Sequence, residues 1–85
     1  MINLTKIHDF YYYFPYVLKQ HNQLLYIGNI DNKDNIFISD GHHVYNHKTY
    51  LSNKGLYFIY KGKRFYITLY DEYNRLINFI GEPSN

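Results

Sequence analysis

Leu56-Tyr57-Phe58-Ile59-Tyr60-Lys61-Gly62-Lys63-Arg64-Phe65-Tyr66-Ile67-Thr68-Leu69 decides the fold. Two apolar runs rich in β-branched and aromatic residues flank Lys61-Gly62, and glycine supplies the positive φ that a two-residue hairpin loop demands. Side chains alternate along a strand, so the expected register gathers Leu56, Phe58 and Tyr60 with Phe65, Ile67 and Leu69 on one face. Tyr57, Ile59, Tyr66, Thr68 and Tyr70 then share the other.

The same grammar continues on both sides. Asp71-Glu72-Tyr73-Asn74 reads as a type I turn with Asn74 left-handed, a conformation that asparagine tolerates. It returns Ile77 and Phe79 to the inner face and Leu76, Asn78 and Ile80 to the outer one. Upstream, Asp40-Gly41 is a type I′ signal joining Ile36–Ser39 to His42–Tyr45. The cluster 31–35 turns 24–30 back onto 36–39, and His21-Asn22 folds Tyr16–Leu18 against Leu24–Tyr26. At the N-terminus Leu4, Ile7, Tyr11 and Phe14 follow helical spacing, with Asn3 or Thr5 as cap. The run Phe10-Tyr11-Tyr12-Tyr13-Phe14 has strand propensity and Pro15 disfavours helix at Phe14, so the expected helix is short, about Leu4–Tyr12. The fold class expected is α+β: an antiparallel β meander of about five or six strands, curling toward a barrel, with one short N-terminal helix. An all-β small barrel is the alternative. All 85 residues form one domain: 1–14 the helix or aromatic segment, 15–82 the sheet, 83–85 a tail.

Composition narrows the chemistry. The absence of cysteine removes disulfides, thiolate metal sites and cysteine nucleophiles. No apolar run reaches the roughly 18 residues of a membrane helix, and no signal-peptide pattern opens the chain, so a cytoplasmic protein is expected. Twelve tyrosines exceed what a small core needs, and surplus tyrosine is characteristic of binding surfaces. Abundant Asn, Ile and Lys with no Ala is a bias toward A/T-rich codons, common in low-GC bacteria, their phages and mobile elements.

No enzyme is expected. Ser39, Ser52 and Ser84 are the only serines and none sits in a Gly-x-Ser-x-Gly elbow. Ser39, Asp40 and His42 meet only across an exposed turn, without an oxyanion pocket. The acidic residues are scattered over turns, and the glycines lack phosphate-loop spacing. The segment Asp40–His47 holds three histidines, of which His43 and His47 share a strand face with Tyr45. They are the candidate metal ligands, but the spacing matches no established motif, and no metal or other cofactor is expected.

The segment Pro15-Tyr16-Val17-Leu18 through Gln23-Leu24-Leu25-Tyr26-Ile27-Gly28-Asn29-Ile30-Asp31 resembles a strand pair of the staphylococcal uracil-DNA glycosylase inhibitors. The likeness spans one hairpin, and a formal net charge of +2 departs from that family's acidic, DNA-mimicking balance. It implies a hairpin, and neither activity nor site residues.

What remains is the outer face of the C-terminal hairpins, which is aromatic where a solvated sheet face should be polar. Either the N-terminal aromatic segment covers it or a partner does. The function expected is a non-enzymatic protein-binding module from a phage or mobile element, binding and inhibiting a host protein in the manner of an anti-defence or host-takeover factor. Tyr57, Tyr66 and Tyr70 are the expected anchors, with Lys61 and Arg64 as a charged rim. The alternative is an RNA or single-stranded-DNA binder using the same face. Self-association through an unprotected sheet edge is a third mode.

Overall fold

The computed structural model describes residues 7–30, 34–71, 73 and 76–85. The chain runs α1 (Ile7–Tyr13), β1 (Tyr16–Gln20), β2 (Gln23–Ile30), β3 (Asn35–Ser39), β4 (Val44–Lys48), β5 (Tyr50–Leu51), β6 (Gly55–Tyr60), β7 (Lys63–Tyr70), β8 (Leu76–Phe79) and β9 (Glu82–Pro83). Both two-residue loops form as their residues dictate. His21 (φ 55°) and Asn22 (59°), and Lys61 (52°) and Gly62 (77°), take the paired positive φ of a type I′ loop. Gln20 therefore faces Gln23, and Tyr60 faces Lys63.

The fold is α+β, antiparallel strands with one short helix. The strands form two sheets rather than a single meander or a barrel, in the orders β4-β3-β2-β1-β9 and β5-β6-β7-β8. The division comes from two crossings. At the first, buried Thr49 donates its backbone N–H and its hydroxyl to the Asp34 carbonyl, each at 2.7 Å, and so separates the lines of β4 and β5. At the second, the chain leaves β8 and returns to the first sheet. Glu82 and Pro83 pair with Val17 and Tyr16, and the Ser84 hydroxyl donates to the Phe14 carbonyl at 2.7 Å. Residues 83–85 are thus not a free tail: Pro83 occupies an edge strand, where its missing N–H costs nothing.

Between the sheets lies one core of Leu18, Leu25, Ile27, Ile36, Ile38, Phe58, Tyr60, Phe65 and Ile67, with Tyr45, Leu56 and Ile80 packed against it. The helix spans Ile7–Tyr13, ending two residues before Pro15; Leu4 and the caps Asn3 and Thr5 lie outside the described residues. It covers the far side of the first sheet. Phe10 stacks on Phe14 at 5.1 Å and meets the Tyr26 ring edge-on at 4.8 Å, over a strand pair in which Tyr26 faces Val17 and Ser39. Phe14, Val17 and Ser39 are buried there. The layers are helix, sheet, sheet.

Three registers differ from expectation. The loop from Asp40 to His43 is four residues long, with Ser39 opposite Val44, because the Asp40 carboxylate accepts the backbone N–H groups of both His42 (2.8 Å) and His43 (2.9 Å). In β7 an extra residue at Ile67 places Tyr66 opposite Tyr57 but Thr68 opposite Leu56. A one-residue shift exchanges the faces, so Thr68 lines the cleft between the sheets, beside Ile67 and Phe79, and Leu69 leaves the inner face. A second shift, in β8, sets Phe79 opposite Thr68. Phe79 thereby stands at the mouth of the cleft, edge-on to Tyr16 at 4.7 Å and exposed rather than in the expected core position, while Ile80, expected outside, packs on the core. The faces of Leu76, Ile77 and Asn78 and the turn residues Glu72, Asn74 and Arg75 lie outside the described set.

Gln20 ties the sheets together at the bulge. Its amide nitrogen donates to the Tyr66 carbonyl at 2.7 Å and its amide oxygen accepts the Tyr66 N–H at 2.9 Å, replacing a missing neighbour strand. Gln20→Ala strands two backbone groups and is expected to cost about 1–3 kcal/mol in urea denaturation. Gln20→Glu keeps the acceptor, loses the donor, and is expected to recover only part of that loss.

Candidate partner-binding face

The outer face of the second sheet carries one tyrosine per strand across three neighbouring strands. Tyr50 of β5 pairs with Tyr57 of β6, which pairs with Tyr66 of β7. Their rings form a row, Tyr50 on Tyr57 at 5.5 Å and 28°, then Tyr57 on Tyr66 at 5.4 Å and 48°. Each ring carries a cation. Lys48 Nζ lies 5.6 Å from the Tyr50 centroid, the Arg64 guanidinium 4.4 Å from Tyr57, and Lys54 Nζ 4.9 Å from Tyr66. Ile59, opposite Arg64, extends the row with an exposed apolar side chain.

The row has internal electrostatics. Arg64 Nη1 donates toward the Tyr66 hydroxyl at 3.5 Å. This contact, and then one from Ser52, holds the Tyr66 phenol below the ordinary tyrosine range, while the same Tyr66 contact and the neighbouring Tyr57 raise Arg64. A phenol with a depressed folded value favours the folded state once pH exceeds that value. Arg64→Met is expected to move the Tyr66 phenolate transition upward, read by phenolate absorbance with Tyr66→Phe as the control that removes it.

Of the expected anchors, Tyr57 and Tyr66 come together. Tyr57 is only 9% exposed, though, so it supports the row, whereas Tyr50 at 41% and Ile59 at 43% present the free surface. Tyr70, carried past the Ile67 bulge, sits with Leu51, Ser52 and Asn53 around a shallow depression outside the row. Arg64 lies on the face. Lys61 does not: its Nζ sits 5.4 Å over Tyr60, whose ring belongs to the inter-sheet core. Sequence reading missed Tyr50, Lys48 and Lys54. The signal available was Ser52-Asn53-Lys54-Gly55, a turn whose Ser52 hydroxyl accepts the N–H groups of Lys54 and Gly55 and donates to the Gly55 carbonyl.

The N-terminal segment does not cover this face with any described residue, since α1 packs on the other sheet through Tyr26. His43 and His47 flank Tyr45, each ring 6.2 Å from it. His47 also contacts Phe58 and Tyr60 at 6.1 and 6.0 Å. Among the described residues no three His, Asp or Glu side chains converge to hold a metal. Asp40 and Ser39 both serve the turn. The two loop N–H groups, His43 before His42, hold the Asp40 carboxyl below its usual 3.8, and the Ser39 hydroxyl accepts the Gly41 N–H at 3.0 Å. Among the described residues no helix is long and apolar enough to cross a membrane. Comparison of the chain with protein-family models, curated proteins and solved structures finds no match.

Proposed function

We propose that the chain is a non-enzymatic protein-binding module, of phage or mobile-element origin, that acts in a host cell by covering a surface of a host protein through the outer face of β5–β7. The observation that carries this reading is the Tyr50–Tyr57–Tyr66 row, continued by Ile59, on a sheet face that no described element covers. A sheet face left to water is ordinarily polar, and rigid aromatic rings with polar tips bring large contact area at small entropic cost. The biased codon usage implied by abundant Asn, Ile and Lys supports the proposed origin, and occlusion is the mode of inhibition open to so small a module.

Tyr50, Ile59 and Tyr66 are the anchors and Arg64 and Lys54 the rim; Tyr57 holds the row from beneath. The test is affinity capture from host lysate with the tagged chain against Tyr66→Ala and Ile59→Ser, both first shown to retain cooperative unfolding. Loss of about tenfold or more of the captured partner is expected, since central interface anchors cost about 2 kcal/mol or more on truncation. Unchanged capture by both variants would remove the reading.

A further inference from the structure

We infer that the partner presents an acidic polypeptide segment to this face, its carboxylates pairing with the cations on the tyrosine row. The inference rests on the outer face of β5–β7 being the contact face. The small formal charge of +2 hides a segregation. Lys48, Lys54 and Arg64 all stand on the tyrosine row, and among the described residues none of them has a carboxylate partner, whereas Lys19 of the other sheet pairs with Glu82 at 3.2 Å. Asp40 is committed to its own loop. Among the described residues the three cations of the face are therefore not neutralised by an ion pair, and charge complementarity calls for an anionic partner.

The cations also favour one kind of anion over another. A single-stranded nucleic acid gains its affinity by stacking bases on open aromatic faces. Here each ring of the row already has a cation over it, so stacking would first have to displace an attraction worth about 0.5–1 kcal/mol per site. Carboxylates need no such displacement. Rings hold the ammonium and guanidinium groups in place, which lowers the entropy lost when an acid pairs with them.

The test titrates the full chain, by fluorescence anisotropy, into three labelled probes: an alanine-based helical peptide with one glutamate per turn on one face, the same peptide with glutamine at those positions, and an oligothymidylate. The glutamate peptide is expected to bind about tenfold or more tightly than the glutamine peptide and more tightly than the oligothymidylate, and to weaken with salt. Lys54→Gln and Arg64→Gln, both at exposed positions, are each expected to weaken it by about two- to fivefold. Equal binding of the two peptides, no binding of either, or preference for the oligothymidylate would each overturn the acidic segment. In those cases, continued loss of lysate capture in Tyr66→Ala would keep the face while discarding this partner. Unchanged capture by both Tyr66→Ala and Ile59→Ser would discard the face itself.

Discussion

Replacing Phe58 by alanine is expected to remove about 3–5 kcal/mol of stability, read as a fall in the urea midpoint with little change in slope. Phe58 is fully buried at the centre of the core. Its ring lies parallel to that of Phe65 at 5.6 Å and 11°, and His47 approaches from the other sheet at 6.1 Å. Truncation thus removes contacts both along the β6–β7 pair and across the sheets, and leaves a void lined by rings that are themselves pinned by backbone pairing. Small domains have roughly 5–15 kcal/mol in all, and an 85-residue chain belongs near the lower end because it buries a smaller share of its surface. The variant should be partly unfolded without denaturant at ordinary temperature. A loss below about 1 kcal/mol would mean that the two sheets do not meet over this ring.

How much of this was legible beforehand depended on whether a feature leaves a mark in residue types. The loops at His21-Asn22 and Lys61-Gly62 were readable because a positive φ restricts which residues suit the turn. The short helix before Pro15 was readable from spacing and from the restriction on a residue preceding proline. The sheet switch at Thr49 was not, because its cause is a pair of hydrogen bonds to a carbonyl fifteen residues away in sequence, and a two-residue strand such as β5 has no periodicity to detect. The Asp40 loop misled for a related reason: Asp-Gly suits a two-residue loop, but the carboxylate accepted two N–H groups and closed a longer one. The bulges carry no compositional signal. Their consequence for the candidate face is direct. Tyr57 and Tyr66 lie on the hairpin-loop side of the irregularity and were placed correctly on one face, while Tyr70 lies beyond it and was assigned a face it does not share with them. Tyr50 stayed invisible because it joins the row only through β5.

The bulge makes the second large prediction. Gly55 sits on a positive φ of 158° where β6 begins, opposite Leu69. A Cβ there would collide with the Thr68 carbonyl oxygen and approach the Leu69 Cα to 2.9 Å. Both obstacles are backbone, so no rotamer change relieves them, and β7 would have to move away. Overpacking costs about 1–3 kcal/mol and an unfavourable backbone conformation about 1–3 more, so Gly55→Ala is expected to destabilise by ~2–5 kcal/mol. Gly62→Ala is the matched comparison. Its φ of 77° is also positive, but a Cβ meets nothing within 4 Å, leaving only the left-handed penalty of about 1–2 kcal/mol. The two variants should also differ at the candidate face. Gly55 adjoins the bulge that sets Tyr66 against Tyr57, so Gly55→Ala should weaken the near-ultraviolet circular dichroism of the tyrosine row at temperatures where the chain is still folded, whereas Gly62→Ala should leave it intact. Equal stability losses, with the aromatic signal unchanged in both, would show that the close approach at Gly55 neither sustains the bulge nor aligns the row.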